Sequence, residues 1–268
     1  MTSLPSLILV GGGRMGSALL TGWREQGLST LFVVDPSEAA QSLAGPGVTV
    51  VPHADELPAS LTPAAVILAV KPQMAPAALP AYARFAQNTL FISIMAGKTI
   101  AGIGALLGGA EAVVRAMPNT PAAVRQGITV ACALADLTAA HKTLATRLLE
   151  AVGGVAWVTE EAMLDPVTAI SGGGPAYVFL LTELLEQAGI DQGLPADLAR
   201  IMARQTVIGS ASLLASSSET PEALRIAVTS PGGTTAEALK LLRADDAWPK
   251  TFKAAIEAAT ERSRVLSA

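Results

Sequence analysis

A glycine-rich turn between an apolar run and a helical stretch constrains this sequence more than any other feature. Gly11, Gly13 and Gly16 match the G-x-G-x-x-G pattern, which is informative when it follows a strand and opens a helix. The first glycine permits a tight turn, the second lets the backbone approach a pyrophosphate, and the third lets helix and strand pack closely. The pattern predicts a dinucleotide-binding fold; the alternative is a purely structural turn.

An acidic residue follows the second apolar run, about 20 residues after the glycines. An acid at the position of Asp35 usually accepts hydrogen bonds from the adenosine ribose hydroxyls and repels a 2′-phosphate, which favours NADH. Ser37 and Arg14 would accommodate a 2′-phosphate if Asp35 turned outward. Asp35 could also simply cap the next helix. The residues therefore leave NADPH and NADH open.

Apolar runs alternate with helical stretches through the first half of the chain, as is typical of a parallel, doubly wound sheet. After about residue 160 the strand pattern fades, and Ala- and Leu-rich segments predict helices. The expected strands are 7–10, 31–34, 66–70, 90–94, 112–115, 128–133 and 155–159, and the expected helices are 14–26, 138–152, 176–188, 196–215, 221–228 and 248–265.

The pattern thus predicts an α/β Rossmann-type N-terminal domain with a parallel-rich doubly wound sheet at 1–160. An all-α C-terminal domain for dimerisation and substrate binding follows at 161–268. The helix expected around 199–214 has Arg200 and Arg204 as nearly its only charges. A helix that is apolar on most sides must be buried on several sides, which favours a dimer.

Several classes of function are excluded by composition. The net charge of −4 leaves no basic surface for nucleic acid. Cys132, His53 and His141 form no metal-binding set, so no metal is expected. The apolar opening before Gly11 is too short to span a membrane and lacks the basic start of a signal peptide. We therefore expect a cytoplasmic protein that acts on a small molecule.

Three loops follow strands at the edge where doubly wound sheets bind ligands. The first contains Lys71 and Pro72, which could meet a phosphate or ribose, and the second covers residues 94–98. Either could also be an ordinary surface loop. The third carries Asn119 in a proline-rich stretch, where a rigid backbone and an uncharged amide suit a substrate or a carboxamide.

Two further glycine-rich stretches, 171–177 and 229–235, lie in the second half of the chain. Glycines beside hydroxyls just before a helix form anion-binding turns. We expect a small carboxylate site there; the alternative is that both stretches only separate helices.

Taken together, the motifs at 11–15, 69–73, 115–121, 171–177 and 229–235 resemble the pyrroline-5-carboxylate reductases in order and spacing over nearly the whole chain. The resemblance implies hydride transfer from NADPH or NADH to the imine carbon of 1-pyrroline-5-carboxylate, which yields L-proline in the last step of proline biosynthesis. It also implies a homodimer through interleaved C-terminal helices, which in part of the family assembles into larger rings.

The resemblance also implies the site. Thr235 is the implied catalytic residue, which hydrogen-bonds the imine nitrogen; the residue pattern, rather than the resemblance, adds Asn119 as a further candidate substrate contact. The implied substrate-carboxylate contacts are Ser230, Gly232, Gly233 and Thr234. The implied cofactor contacts are Val10, Gly11, Gly12, Gly13, Arg14, Met15, Ala69, Val70, Lys71, Pro72, Met95 and Ala96, to which the residue pattern adds Asp35 and Ser37.

Two residues depart from the family pattern: Gly173 stands where Ser is usual, and Ala54 where Asn is common. One rival is another imine reductase, or a β-hydroxyacid dehydrogenase with a catalytic Lys in its helical half. In its helical half this chain has Lys240, Lys250 and Lys253, all near the end, which weakens the β-hydroxyacid dehydrogenase alternative. The other rival is a non-catalytic dinucleotide-binding protein, which would not need the carboxylate turn at 229–235.

Overall fold

The computed structural model describes residues 4–267. Within this range eight strands form one sheet, in the order β3-β2-β1-β4-β5-β6-β7-β8. The first six take the order typical of dinucleotide-binding doubly wound sheets, with the switch point between β1 and β4. The strands are β1 (Leu7–Val10), β2 (Leu31–Val34), β3 (Val48–Val51), β4 (Ala65–Leu68), β5 (Leu90–Ser93), β6 (Val113–Met117), β7 (Gly127–Ala133) and β8 (Gly153–Trp157).

Two features of the sheet differ from the sequence prediction. Strand β3 was not predicted, because Thr49 interrupts its apolar run, which directly follows the loop glycine Gly47. Strands β6 and β7 pair antiparallel, whereas the other neighbours in the described sheet pair parallel. The connection 118–126 is shorter than the dozen or so residues that a parallel crossover needs, so the chain turns back.

The central strands are buried on both faces. Ile8 and Val10 point into one hydrophobic cluster, and Leu7 and Leu9 point into the other. This alternation explains why β1 is a continuous apolar run, since both faces of a parallel sheet are covered by other elements. Burial of each such side chain contributes about 1.5–3 kcal/mol.

The helices of the chain agree with the predicted ones to within a few residues at each end, apart from short ones that were not predicted. The predicted N-cap Thr138 is confirmed, because its hydroxyl oxygen accepts a hydrogen bond from the His141 N–H at 3.1 Å. The helices are α1 (Arg14–Glu25), α2 (Ala75–Ala78), α3 (Ile100–Leu106), α4 (Ala139–Leu149), α5 (Leu164–Val167), α6 (Gly174–Asp191), α7 (Ala196–Ser216), α8 (Pro221–Ala227), α9 (Thr234–Leu242) and α10 (Trp248–Ser267).

The chain divides into two compact units. One contains the residues up to Gly172 together with those from Ala259 onward, and the other is Gly173–Ala258. The first unit holds the sheet, and the second is helical. The predicted domain boundary between residues 160 and 161 stays a prediction, and residues 1–3 and 268 of the predicted domains lie outside the described range. No helix within residues 4–267 is long and apolar enough to cross a membrane.

Candidate active site

The glycine turn between β1 and α1 is packed tightly on the protein side and open on the other. A Cβ atom on Gly16 would lie 2.2 Å from the Gly11 carbonyl oxygen, and one on Gly11 would lie 2.7 Å from the Ala69 carbonyl oxygen. By contrast, a Cβ on Gly13 would have no described atom within 4 Å. Two of the three glycines are therefore required by packing, and the third borders open space.

The turn is held by hydrogen bonds to its neighbours. The Gly11 N–H donates to the Val34 carbonyl at 2.9 Å, and the Ala69 N–H donates to the Val10 carbonyl at 2.8 Å. The Ser17 hydroxyl, which sequence reasoning missed, donates to the Gly12 carbonyl at 2.8 Å. Helix α1 begins with no side-chain cap, so its first-turn N–H groups remain for an anion. These features fit a pyrophosphate.

Asp35 lies directly against this turn. One carboxylate oxygen accepts the Gly12 N–H at 2.7 Å, and the other accepts the Ser37 N–H at 2.8 Å and the Ser37 hydroxyl at 2.6 Å. Burial by itself would raise the pKa of Asp35, but these hydrogen bonds lower it below its usual range. The carboxylate is thus ionised and fixed beside the glycines.

The loops after β4 and β5 extend from the same edge of the sheet. Lys71 is exposed and precedes Pro72, which starts a short 3-10 turn. In the second loop, the Met95 side chain is buried in the core and its N–H donates to the Ser93 hydroxyl at 3.2 Å, whereas Ala96 is exposed. The buried Met95 side chain therefore anchors the loop to the hydrophobic core.

Asn119 already has a structural partner. It is 9% exposed, and its amide oxygen accepts the Ile128 N–H at 2.9 Å, which ties the proline-rich loop to β7. Its amide NH₂ group is the part that would be left to contact a ligand.

The second half of the chain holds the predicted carboxylate turn at the start of α9. The Gly233 N–H donates to the Ser230 carbonyl at 3.0 Å, and Gly233 is the N-cap of α9 with no side-chain cap. The first-turn N–H groups that include those of Thr234 and Thr235 have no intrahelical partner, which suits a bound anion. Ser230, Thr234 and Thr235 are exposed.

The other glycine-rich stretch is not the expected turn. Residues Thr168–Gly172 form a π-helical segment, and α6 begins at Gly174 with Gly173 as its N-cap. The Ser171 hydroxyl donates to the Val167 carbonyl at 3.1 Å. The backbone here is helical rather than a turn, and the Ser171 hydroxyl is used within the helix, while the predicted carboxylate site at this stretch stays a prediction.

Comparison with known proteins covers the whole chain. Residues 161–266 match a family model described as pyrroline-5-carboxylate reductase dimerisation, and residues 6–97 match one described as NADP oxidoreductase coenzyme F420-dependent. The pyrroline-5-carboxylate reductase of Pseudomonas aeruginosa is 39% identical over 99% of this chain and 98% of its own length. This chain belongs to the pyrroline-5-carboxylate reductase family.

Solved structures of pyrroline-5-carboxylate reductases agree. The enzyme from Coxiella burnetii has a TM-score of 0.90 at 33% identity, with 98% of this chain and 99% of that chain covered. The enzyme from Plasmodium falciparum, solved with NADP bound, has a TM-score of 0.83 at 30% identity over 100% of both chains. The predicted fold class and family are confirmed, and the match to the dimerisation model supports homo-oligomerisation.

The structure also locates the two departures from the pyrroline-5-carboxylate reductase pattern. Gly173 is the α6 N-cap noted above, so it contributes no hydroxyl at that helix start. Ala54 opens a 3-10 turn, Ala54–Glu56, and is half-buried against the core of the sheet.

Proposed function

We propose that this protein reduces 1-pyrroline-5-carboxylate to L-proline with NAD(P)H. The observation that carries the proposal is the match to pyrroline-5-carboxylate reductases over the full chain, at 39% identity to the Pseudomonas aeruginosa enzyme. Residues 1–160 would hold the cofactor, and residues 161–268 would bind substrate and form the dimer.

The cofactor half of the site is assigned to the edge of the sheet. The N–H groups at the start of α1 and the open space beside Gly13 accept the pyrophosphate. Asp35 and Ser37 face the adenosine ribose, while residues 69–72 and the backbone at Met95 and Ala96 flank the rest of the dinucleotide. When bound, the reduced nicotinamide supplies the hydride.

The substrate half of the site is assigned to the start of α9. Ser230 and the N–H groups around Gly232, Gly233 and Thr234 anchor the carboxylate, and the Asn119 amide adds a polar contact. The Thr235 hydroxyl hydrogen-bonds the imine nitrogen. The carbon gains the hydride, the C=N double bond becomes a single bond, and the nitrogen keeps the proton of an iminium or gains one from water. Because an iminium is already electrophilic, alignment matters more than a strong acid.

The helical half of the chain supports a homodimer. Many large apolar side chains on α6 and α7 are exposed in the single chain, including Phe179 at 67% and Ile201 at 65%. Exposed apolar surface of this extent is typical of a protein–protein interface. We assign the homodimer to the C-terminal helices, leave the number of subunits beyond two open, and place the enzyme in the cytoplasm.

Replacing Asp35 with Ser should shift cofactor preference toward NADPH. The ionised carboxylate repels a 2′-phosphate, so its loss should raise the ratio of kcat/KM for NADPH to that for NADH by about tenfold. Steady-state kinetics with both cofactors measure this ratio. Asp136→Asn is the control, since Asp136 lines a separate pocket with Thr89 and His141. An unchanged ratio in the Asp35 variant would show that Asp35 does not discriminate between NADH and NADPH.

The activity itself is tested by mixing the purified protein with 1-pyrroline-5-carboxylate and each reduced cofactor. Oxidation is followed by absorbance of the reduced nicotinamide, and L-proline is identified by chromatography. Proline formed in step with cofactor oxidation supports the proposal. Cofactor binding without turnover would instead favour another imine or keto acid as substrate, or a non-catalytic role.

A further inference from the structure

The loop between β5 and α3, residues 94–99, is fixed along its length. At its start, the Ile94 N–H donates to the Leu68 carbonyl at 3.1 Å. In its middle, a Cβ on Gly97 would lie 2.6 Å from the Leu266 carbonyl oxygen, so the backbone of α10 packs directly on the loop. The proposed function gives this loop the cofactor contacts at Met95 and Ala96.

The end of the loop is held by Glu161. One oxygen of its carboxylate accepts the Ile100 N–H at 2.8 Å and also the Arg115 Nη1–H at 2.9 Å. Ile100 is the first residue of α3, where a helix has no intrahelical partner for its N–H. One carboxylate therefore joins the loop end to strand β6.

The buried positive charge of Arg115 requires the Glu161 carboxylate as its counter-ion. The guanidinium is almost fully buried, and in the described part of the chain its Nε atom has no hydrogen-bond partner. Its Nη2 atom is 3.5 Å from the Ser267 hydroxyl, a long contact that compensates little charge. Glu161 is the one carboxylate in an ion pair with Arg115 among residues 4–267.

The last turns of α10, which belong to the sheet unit, make a second buried contact within it. The Ser263 hydroxyl donates to the Asp165 carboxylate at 2.7 Å, and both residues are 8% exposed. This contact keeps the last turns of α10, including Leu266, against Gly97. The loop is thus clamped between α10 and the Glu161 carboxylate.

We propose that Glu161 is a positioning residue for cofactor binding, which acts by holding the Ile100 N–H and thereby the backbone of loop 94–99. The proposal rests on the proposed function, since it takes this loop as a cofactor contact. A plain structural ion pair with Arg115 would instead affect stability alone. The two roles are separable because a neutral amide oxygen at this position can still accept the Ile100 N–H, whereas the ion pair with Arg115 needs the charged carboxylate.

The test compares Glu161→Gln with Glu161→Ala. Gln keeps a neutral oxygen for the Ile100 N–H but loses the ion pair, whereas Ala loses both. Both variants should unfold at a lower temperature because Arg115 keeps a buried, uncompensated charge. Only Glu161→Ala should raise the dissociation constants of NADH and NADPH, by about tenfold, in nicotinamide fluorescence titrations at a temperature where circular dichroism shows it folded.

Three further variants complete the test. Glu160→Ala, at an exposed neighbouring acid, should leave both the cofactor dissociation constants and the unfolding temperature unchanged. Ile100→Pro removes the N–H itself at a helix position that tolerates proline, and Thr99 before it is already extended. Because the Ile100 side chain is buried in the core, Ile100→Ala, which keeps the N–H, is its control, and the pair serves if Glu161→Ala does not fold. Relative to this control, Ile100→Pro should weaken cofactor binding like Glu161→Ala.

Unchanged cofactor affinity in folded Glu161→Ala, or in Ile100→Pro where the first does not fold, would overturn the proposal. An equal loss of affinity in Glu161→Gln and Glu161→Ala would also overturn it, because the effect would then follow the ion pair. Since binding is measured without substrate, a wild-type protein that binds cofactor but makes no proline would contradict the proposed function and leave this result interpretable.

Discussion

Replacing Thr235 with Ala should lower kcat by about 100-fold while the dissociation constant of the reduced cofactor stays within twofold. The proposed role of the hydroxyl is to hydrogen-bond the imine nitrogen as the neighbouring carbon receives the hydride, an interaction that matters most in the transition state. Thr235 is the second residue of α9, and its side chain is exposed, so no packing in the single chain depends on it. Steady-state kinetics and fluorescence titration with the reduced cofactor measure the two quantities.

Two matched variants separate the hydroxyl from the shape of the side chain. Thr235→Ser keeps the hydroxyl and should retain kcat within about fivefold, whereas Thr235→Val keeps the shape and should behave like Ala. Wild-type kcat in Thr235→Val would show that the hydroxyl has no part in the reaction. A large rise in the cofactor dissociation constant in all three variants would place Thr235 in cofactor binding instead.

The sequence predicted most of the sheet because its strands are short runs that are buried on both faces. Strands β1 and β2 match their predicted bounds, since their apolar runs are bounded by a glycine turn or by Asp35. Strand β3 was not predicted because Thr49 interrupts its apolar run, which leaves neither a continuous apolar run nor a clear alternation. Strand β7 was predicted at 128–133 but its antiparallel direction was not, because an apolar run carries no information on direction.

The positions of the residues at the glycine turn could be predicted, because local spacing fixes them, while their role in cofactor binding stays a prediction. The glycines, Asp35 and Ala69 do meet at one edge of the sheet, as the motif requires. Glu161 could not be predicted, since its partners Ile100 and Arg115 are distant in the sequence and only the folded sheet brings them together. The π-helical backbone before α6 was not predicted either, because consecutive glycines at a helix start have the sequence pattern of a turn.

A second large effect on cofactor affinity is expected from substitutions in the glycine turn, where Gly13 borders open space and Gly16 is closely packed. Gly13→Ala should raise the dissociation constants of NADH and NADPH by about 100-fold, since the new methyl group fills the open space assigned to the pyrophosphate. Its effect on folding should be small, under about 1 kcal/mol in the free energy of unfolding, because Gly13 already has a backbone conformation that Ala adopts and lies at an N-cap. Fluorescence titration and urea unfolding give the two values.

Gly16→Ala is the matched contrast, because its Cβ would lie 2.2 Å from the Gly11 carbonyl oxygen. The backbone fixes the position of a Cβ, so only a backbone shift could relieve this clash. Strand β1 and helix α1 would have to separate, so this variant should lose about 3 kcal/mol of stability, and its cofactor affinity should fall with the displaced turn. The two variants therefore differ in stability while sharing a loss of binding. If Gly13→Ala bound both cofactors as tightly as the wild type, the pyrophosphate could not lie in that space, and the assignment of the turn would fail even though the fold remained intact.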